Sequence, residues 1–306
     1  MKSNTLKGYF FAVVATLAYS NVYIFSKAAL NEVHLSQFGF LWYAVSGVLC
    51  LIFAYWNKKL ILFRALTTSQ LRILLMLGFL EIATTTLFFL SIHIIPDPSV
   101  TSFLGNMYPV MVTMGGILIL KEKFGWFEIS GASLALGGAF IISYSGGTSL
   151  KTLFIQGTGI VFLNAVFATI TTLVVKVHVK NISPELLNLN RSVWLFLFSL
   201  IMIFVFGKPL LFPLKPIGNV LIGASLEFLA ILTVYYSFKY IEASRSSIIQ
   251  NLKGIFVLAG AYLYFSTFPQ PHQLWGGMLT LAGVLIMSLA QSGMFNRPKS
   301  ACSPPG

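Results

Sequence analysis

The sequence predicts an all-α integral membrane protein of ten transmembrane helices. Three observations carry this. Hydrophobic residues make up 57% of the 306-residue chain and charged residues only 9%, far below the roughly 25% of a soluble domain. The mean hydropathy is +0.84. The apolar residues also fall into runs of about 20, the length needed to cross a bilayer as a helix.

Taken in order, the runs cover roughly 8–29, 37–56, 71–92, 99–120, 126–145, 154–176, 185–207, 217–239, 245–266 and 272–292. The first follows Lys2 and Lys7, as in a signal peptide, but it is too long for an h-region and lacks a cleavage site, so it reads as a retained helix. The connections are short, with no linker or soluble insertion. Two units are expected, 1–148 and 149–293, followed by a disordered tail over 294–306.

Lys and Arg set the orientation. With the N-terminus in the cytoplasm, fourteen of the twenty fall inside. Four (Lys27, Lys151, Lys208 and Lys215) fall outside, and Arg191 and Lys253 lie within spans. Both termini are therefore expected to be cytoplasmic. The same distribution accounts for the net charge of +12 without a nucleic-acid partner, for which no motif is present. Cys50 and Cys302 form no disulfide framework, and His34, His93, His178 and His272 have no metal-ligand spacing. No phosphate-binding glycine loop or nucleophile elbow is present, so no cofactor, no metal and no enzymatic activity are expected.

Glu81 and Glu227 stand near the middle of the third and eighth runs, 146 positions apart. A carboxylate at bilayer depth costs at least ~2.5–3.5 kcal/mol and is rarely left facing lipid. The same shift pairs Ser91 with Ser237, Ile95 with Ile241, Gly131 with Gly277 and Gly137 with Gly283. Each half holds five helices, an odd number, so the second copy must enter the membrane upside down. Inverted repeats of this kind place a polar site between the halves near the midplane.

The candidate site residues follow from depth and helical spacing. Glu81 shares a face with Thr84, Thr85 and Phe88. Lys253, with Gln250 and Ser246 on its stripe, is too deep to snorkel. It must pair with Glu81 or Glu227, meet a ligand anion, or lose its proton. Tyr19 aligns with Thr16 and Tyr23, and Asn106 with Ser102 below Pro109. Asn164 aligns with Ala168, Thr171 and Thr172. Arg191, some six residues into the seventh run, reads as a residue reaching the headgroups or pairing with Glu185. Glu32, Asp97, Glu128, Glu185 and Glu242 read as solvated loop acids. The stripe Gly131, Ala135 and Ala139 reads as a close helix contact.

The stretch Tyr108-Pro109-Val110 through Leu120-Lys121-Glu122-Lys123, followed by Gly131 to Gly138, resembles the end of an EamA repeat of the drug/metabolite transporter superfamily. The resemblance extends over residues 7–292. It implies a secondary transporter in a bacterial inner membrane, exporting a small polar metabolite by alternating access, with a proton as a candidate coupling ion and a homodimer as a candidate assembly. Glu81, Glu227 and Lys253 together suit an amino acid or other zwitterion. Exchange of phosphorylated metabolites or nucleotide sugars is the alternative, because Lys253 is unusual at its position; an intramembrane enzyme or lipid-handling scaffold is the alternative of another class. In the second half Ile255 stands where Pro109 does in the first, and Phe268 where Glu122 does.

Overall fold

The computed structural model describes residues 2–120, 125–144, 154–210, 212–241 and 243–291. Lys121, Glu122, Lys123, Lys151, Glu242, Cys302 and the expected tail lie outside them. The described residues are helical, with one isolated antiparallel bridge between Tyr144 and Phe154 and no strand. In order they form α1 (Lys2–Leu30), α2 (Leu35–Trp56), α3 (Thr68–Ile94), α4 (Pro98–Leu104), α5 (Met107–Leu120) and α6 (Trp126–Ser143). The second half follows with α7 (Thr158–His178), α8 (Pro184–Val205), α9 (Ile217–Tyr240), α10 (Ala243–Asn251), α11 (Lys253–Phe265) and α12 (Pro271–Gln291). Six of these (α1, α2, α3, α7, α8 and α9) are long and apolar enough to cross a bilayer.

The helix starts are written locally. Thr67 and Gln70 form a capping box before α3, Asp97 accepts from the Ser99 N–H ahead of Pro98, and Pro184 opens α8. Gly157, at φ 98°, precedes α7 in a left-handed conformation, and a Cβ there would also lie 2.9 Å from Ile95.

The expected fourth and ninth spans are each broken, at corresponding places. The Asn106 N–H donates to Phe103 O (3.1 Å) and the Leu252 N–H to Ile249 O (3.1 Å), three-residue bonds that tighten the helix. Both pairs are related by the shift of 146. In the first half Pro109 explains the break, since it offers no N–H to the Gly105 carbonyl and crowds it; that carbonyl accepts from Tyr108 instead (3.1 Å). The second half breaks at its equivalent point without a proline.

The packing repeats the same relationship. α1 lies against α9 and α7 against α3, two contacts that exchange when the halves are exchanged. α2 packs on its counterpart α8, where Ser46 and Ser192, themselves 146 apart, meet at 3.2 Å. α6 packs on its counterpart α12 through small residues. A Cβ on Gly131 would sit 2.6 Å from Gly283 O, and one on Gly283 would sit 2.4 Å from Ala135 N. The glycine–alanine stripe therefore brings two backbones together.

Two lysines assigned by sequence to loops are instead tied to helix ends. Lys27 Nζ donates to the carbonyls of Ile92 (2.9 Å), His93 (3.0 Å) and Ile95 (2.9 Å). Lys176 Nζ donates to those of Phe238 (2.7 Å) and Ile241. Ile92 and Phe238, like Ile95 and Ile241, are 146 apart. The last carbonyls of a helix lack intrahelical partners and carry its negative dipole end, so a cation both satisfies and neutralises them. Setting these two lysines aside leaves thirteen inside against three outside, so the orientation argument is unchanged.

Candidate functional site

The long apolar helices bring their few ionisable groups to one place between the halves. Arg191 on α8 is 3% exposed. Its Nε donates to Glu81 Oε2 at 2.9 Å, and its Nη2 donates to Glu227 Oε1 at 2.8 Å and to Thr85 Oγ1 at 3.1 Å. Both glutamates are otherwise satisfied. The Tyr235 hydroxyl donates to Glu81 Oε1 (2.9 Å), and the Trp42 indole N–H donates to Glu227 Oε2. The guanidinium also lies over the Tyr43 ring, 5.7 Å from its centroid. A planar fork with several donors is the one side chain that can serve two carboxylates at once. Glu81 and Thr85 come from the first half and Arg191 and Glu227 from the second, so this cluster joins the halves.

Beside the cluster lies a cavity whose empty space, mouth included, is about 850 Å³. Six of the eight residues expected at the site line it: Tyr19, Glu81, Thr85, Asn164, Gln250 and Lys253. Two do not. Glu227, 1% exposed, is enclosed between Arg191 and Trp42, because the guanidinium it pairs with stands between it and the cavity. Asn106 is turned toward α12, where its Nδ2 donates to Thr280 Oγ1 at 3.2 Å. Arg191, Tyr23, Thr84, Tyr108, Thr171, Thr172 and Tyr235 complete the polar lining. The polar groups of α7 hold those of α3 and α5: Asn164 donates to Thr84 O (2.6 Å), Thr84 and Thr171 hydroxyls meet at 3.2 Å, and Tyr108 and Thr172 hydroxyls meet at 2.6 Å.

Of the three outcomes its depth leaves open, Lys253 does not take the pairing with a glutamate. It lines the cavity at 8% exposure, but neither glutamate reaches it, since both are held by Arg191. Its Nζ lies over the rings of Tyr19 (5.5 Å) and Tyr23 (5.9 Å). Cation–π contacts of this kind offset part of the cost of burying an ammonium. Among the described residues it has no ion-pair partner. The break at Leu252 places it in the first turn of α11, two residues past the end of the segment carrying Gln250.

Arg191 is the residue that sequence reasoning placed elsewhere. Arg191 does not pair with Glu185; that acid is itself buried rather than solvated and accepts from the Tyr236 hydroxyl. Of the other acids, Asp97 caps α4 and Glu32 pairs with Lys215 at 2.6 Å. No group of His, Cys, Asp or Glu suited to a metal occurs among the described residues.

The family model described as "EamA-like transporter family" matches residues 6–144 and again 156–289. Among solved structures, one crystal structure superposes with a TM-score of 0.71 at 13% sequence identity, covering 96% of this chain and 99% of the other, which shows a shared fold. No curated protein matches.

Proposed function

Because the chain belongs to the EamA-like transporter family, built here as two repeats, we propose that this multi-pass membrane transporter carries a small zwitterion, an amino acid or a close relative. The carrying observation is Lys253, a buried cavity-lining ammonium with no carboxylate partner among the described residues. A ligand carboxylate would supply the missing counter-charge. Glu81, on the same cavity, keeps an edge toward it and can receive the ligand's amine, since two carboxylates against one guanidinium leave a surplus negative charge. Phosphorylated substrates would call for a second free cation, and Arg191 is already committed to both glutamates through Nε and Nη2, with only Nη1 left without a partner among the described residues.

We further assign the two broken helices and α6 and α12 to the membrane, making ten spans with both termini cytoplasmic in a bacterial inner membrane. The two halves rock about the cluster at their interface, and transport runs outward; a proton on the surplus charge is a candidate driver. The topology is tested by impermeant thiol labelling of Cys302 and of a cysteine at Ser3 in a Cys50→Ser background. Both should react only after the membrane is opened; labelling from opposite faces would remove the ten-span reading.

The substrate class is tested by thermal stabilisation of the purified protein against amino acids, sugar phosphates and organic cations. A ligand that binds only the folded state at a hundred times its Kd contributes about 2.7 kcal/mol. Amino acids should raise Tm. A panel in which only organic cations or sugar phosphates do so would refute the assignment.

A further inference from the structure

A second crevice lies between α2, α3 and α8, at the other end of the molecule's central cluster, and its chemistry is opposite to that of the polar cavity. Its walls are Phe38, Phe89, Leu90, Leu195, Phe198 and Met202. Its floor is Thr85 and Tyr43, the two residues that also contact Arg191. Its rim holds His34 and His93. Leu90, Phe198 and Met202 are only partly buried, so the crevice opens sideways between α3 and α8.

The dimensions fit one leaflet. From His93 to Thr85 is eight residues of α3, about 12 Å at the helical rise, against a leaflet hydrocarbon depth of roughly 15 Å, half of the core. The cation beside the rim is Lys208: burial first, then the charges of Lys208 and His93, hold His34 below its ordinary range, while the Lys27 ammonium is taken up by the carbonyls of Ile92, His93 and Ile95. His34 Nδ1 accepts from the Ser36 N–H at 3.3 Å and caps α2. Asp97 and the Glu32–Lys215 pair are the acids on this side. A water-filled vestibule would need polar walls, and between rim and floor these are mainly apolar, with Ser36, Thr86 and Ser199 as the polar exceptions.

We propose that the crevice binds one acyl chain of an anionic phospholipid, with the headgroup beside Lys208 at the rim and the chain end against Thr85 and Tyr43. The site is independent of the transported substrate. It places a lipid one side chain away from Arg191, where it supports the wall between the polar cavity and the far face.

Trp42 provides the test. It is fully buried, yet it packs on two crevice walls, Phe38 at 4.6 Å and Phe89 at 5.4 Å between ring centroids. In a variant whose other four tryptophans are Phe, Trp42 is out of contact with bulk lipid. Reconstitution with phosphatidylglycerol brominated on its chains should quench its emission, and brominated phosphatidylcholine should do so less. Thr86→Phe, which fills the crevice mouth, should restore the emission. Quenching by aqueous iodide instead would make the crevice a water path, and no quenching by either would mean that nothing enters it. Equal quenching by the two lipids would remove the anionic headgroup from the assignment. Each of these results overturns the proposal as stated.

Discussion

Arg191→Met should lower the stability of the folded protein by roughly 3–5 kcal/mol, the range for breaking a buried ion pair from one side. The loss is large because one guanidinium serves two carboxylates. Removing it leaves Glu81 and Glu227 buried without a counter-charge, and Thr85 loses its donor. Melting of the purified protein in detergent reads this directly as a fall in Tm. Replacing all three together, Arg191→Met with Glu81→Gln and Glu227→Gln, should recover much of the loss, since neutral amides need no counter-ion and Tyr235 and Trp42 can still donate to their carbonyls. An Arg191→Met protein that melts with the parent would show that the cluster contributes nothing to the interface between the halves.

Lys253→Met should behave in the opposite way. The ammonium has no acidic partner to abandon, so its replacement by a chain of similar length should leave Tm unchanged or slightly raised. Binding is where the effect falls. A hydrogen bond to a charged group contributes about 1.5–3 kcal/mol, so an amino acid should bind roughly ten- to a hundredfold more weakly. Lys253→Arg should recover only part of this, because a planar fork over Tyr19 and Tyr23 does not reproduce a point charge. Titration calorimetry with whichever amino acid stabilises the parent gives the comparison. Unaltered affinity in Lys253→Met would move the ligand's anion elsewhere in the cavity.

Much of this was legible from residue type and spacing. Twenty-residue apolar runs can be read because the bilayer imposes a length, and Glu81 stood out because a carboxylate there needs a reason. The shift of 146 that pairs the glutamates also pairs Ser46 with Ser192 and the two helix breaks. Pairing was harder to read than position. Sequence places Arg191 some 9 Å into its helix, within reach of either the headgroups or the interior, and only the packing of α8 on α2 and α3 settles that it turns inward. Once Arg191 claims both acids, Glu227 leaves the cavity lining and the glutamate pairing open to Lys253 is not made; both outcomes have this one cause. The second helix break carries no proline, so nothing in its composition marked it.

The two glutamates occupy equivalent positions in the two halves, but the arginine does not: α2 carries Val45 where α8 carries Arg191. A machine made of two identical inverted halves has two end states of equal energy, because exchanging the halves converts one into the other. Every bond in the cluster that is not matched by its twin lifts that degeneracy. Here the unmatched bonds come from Arg191, which makes the most of them, and from Tyr235 and Trp42, whose twin positions hold Phe89 and Asn188; these three side chains are where a resting preference for one face of the membrane would be written into an otherwise reversible device.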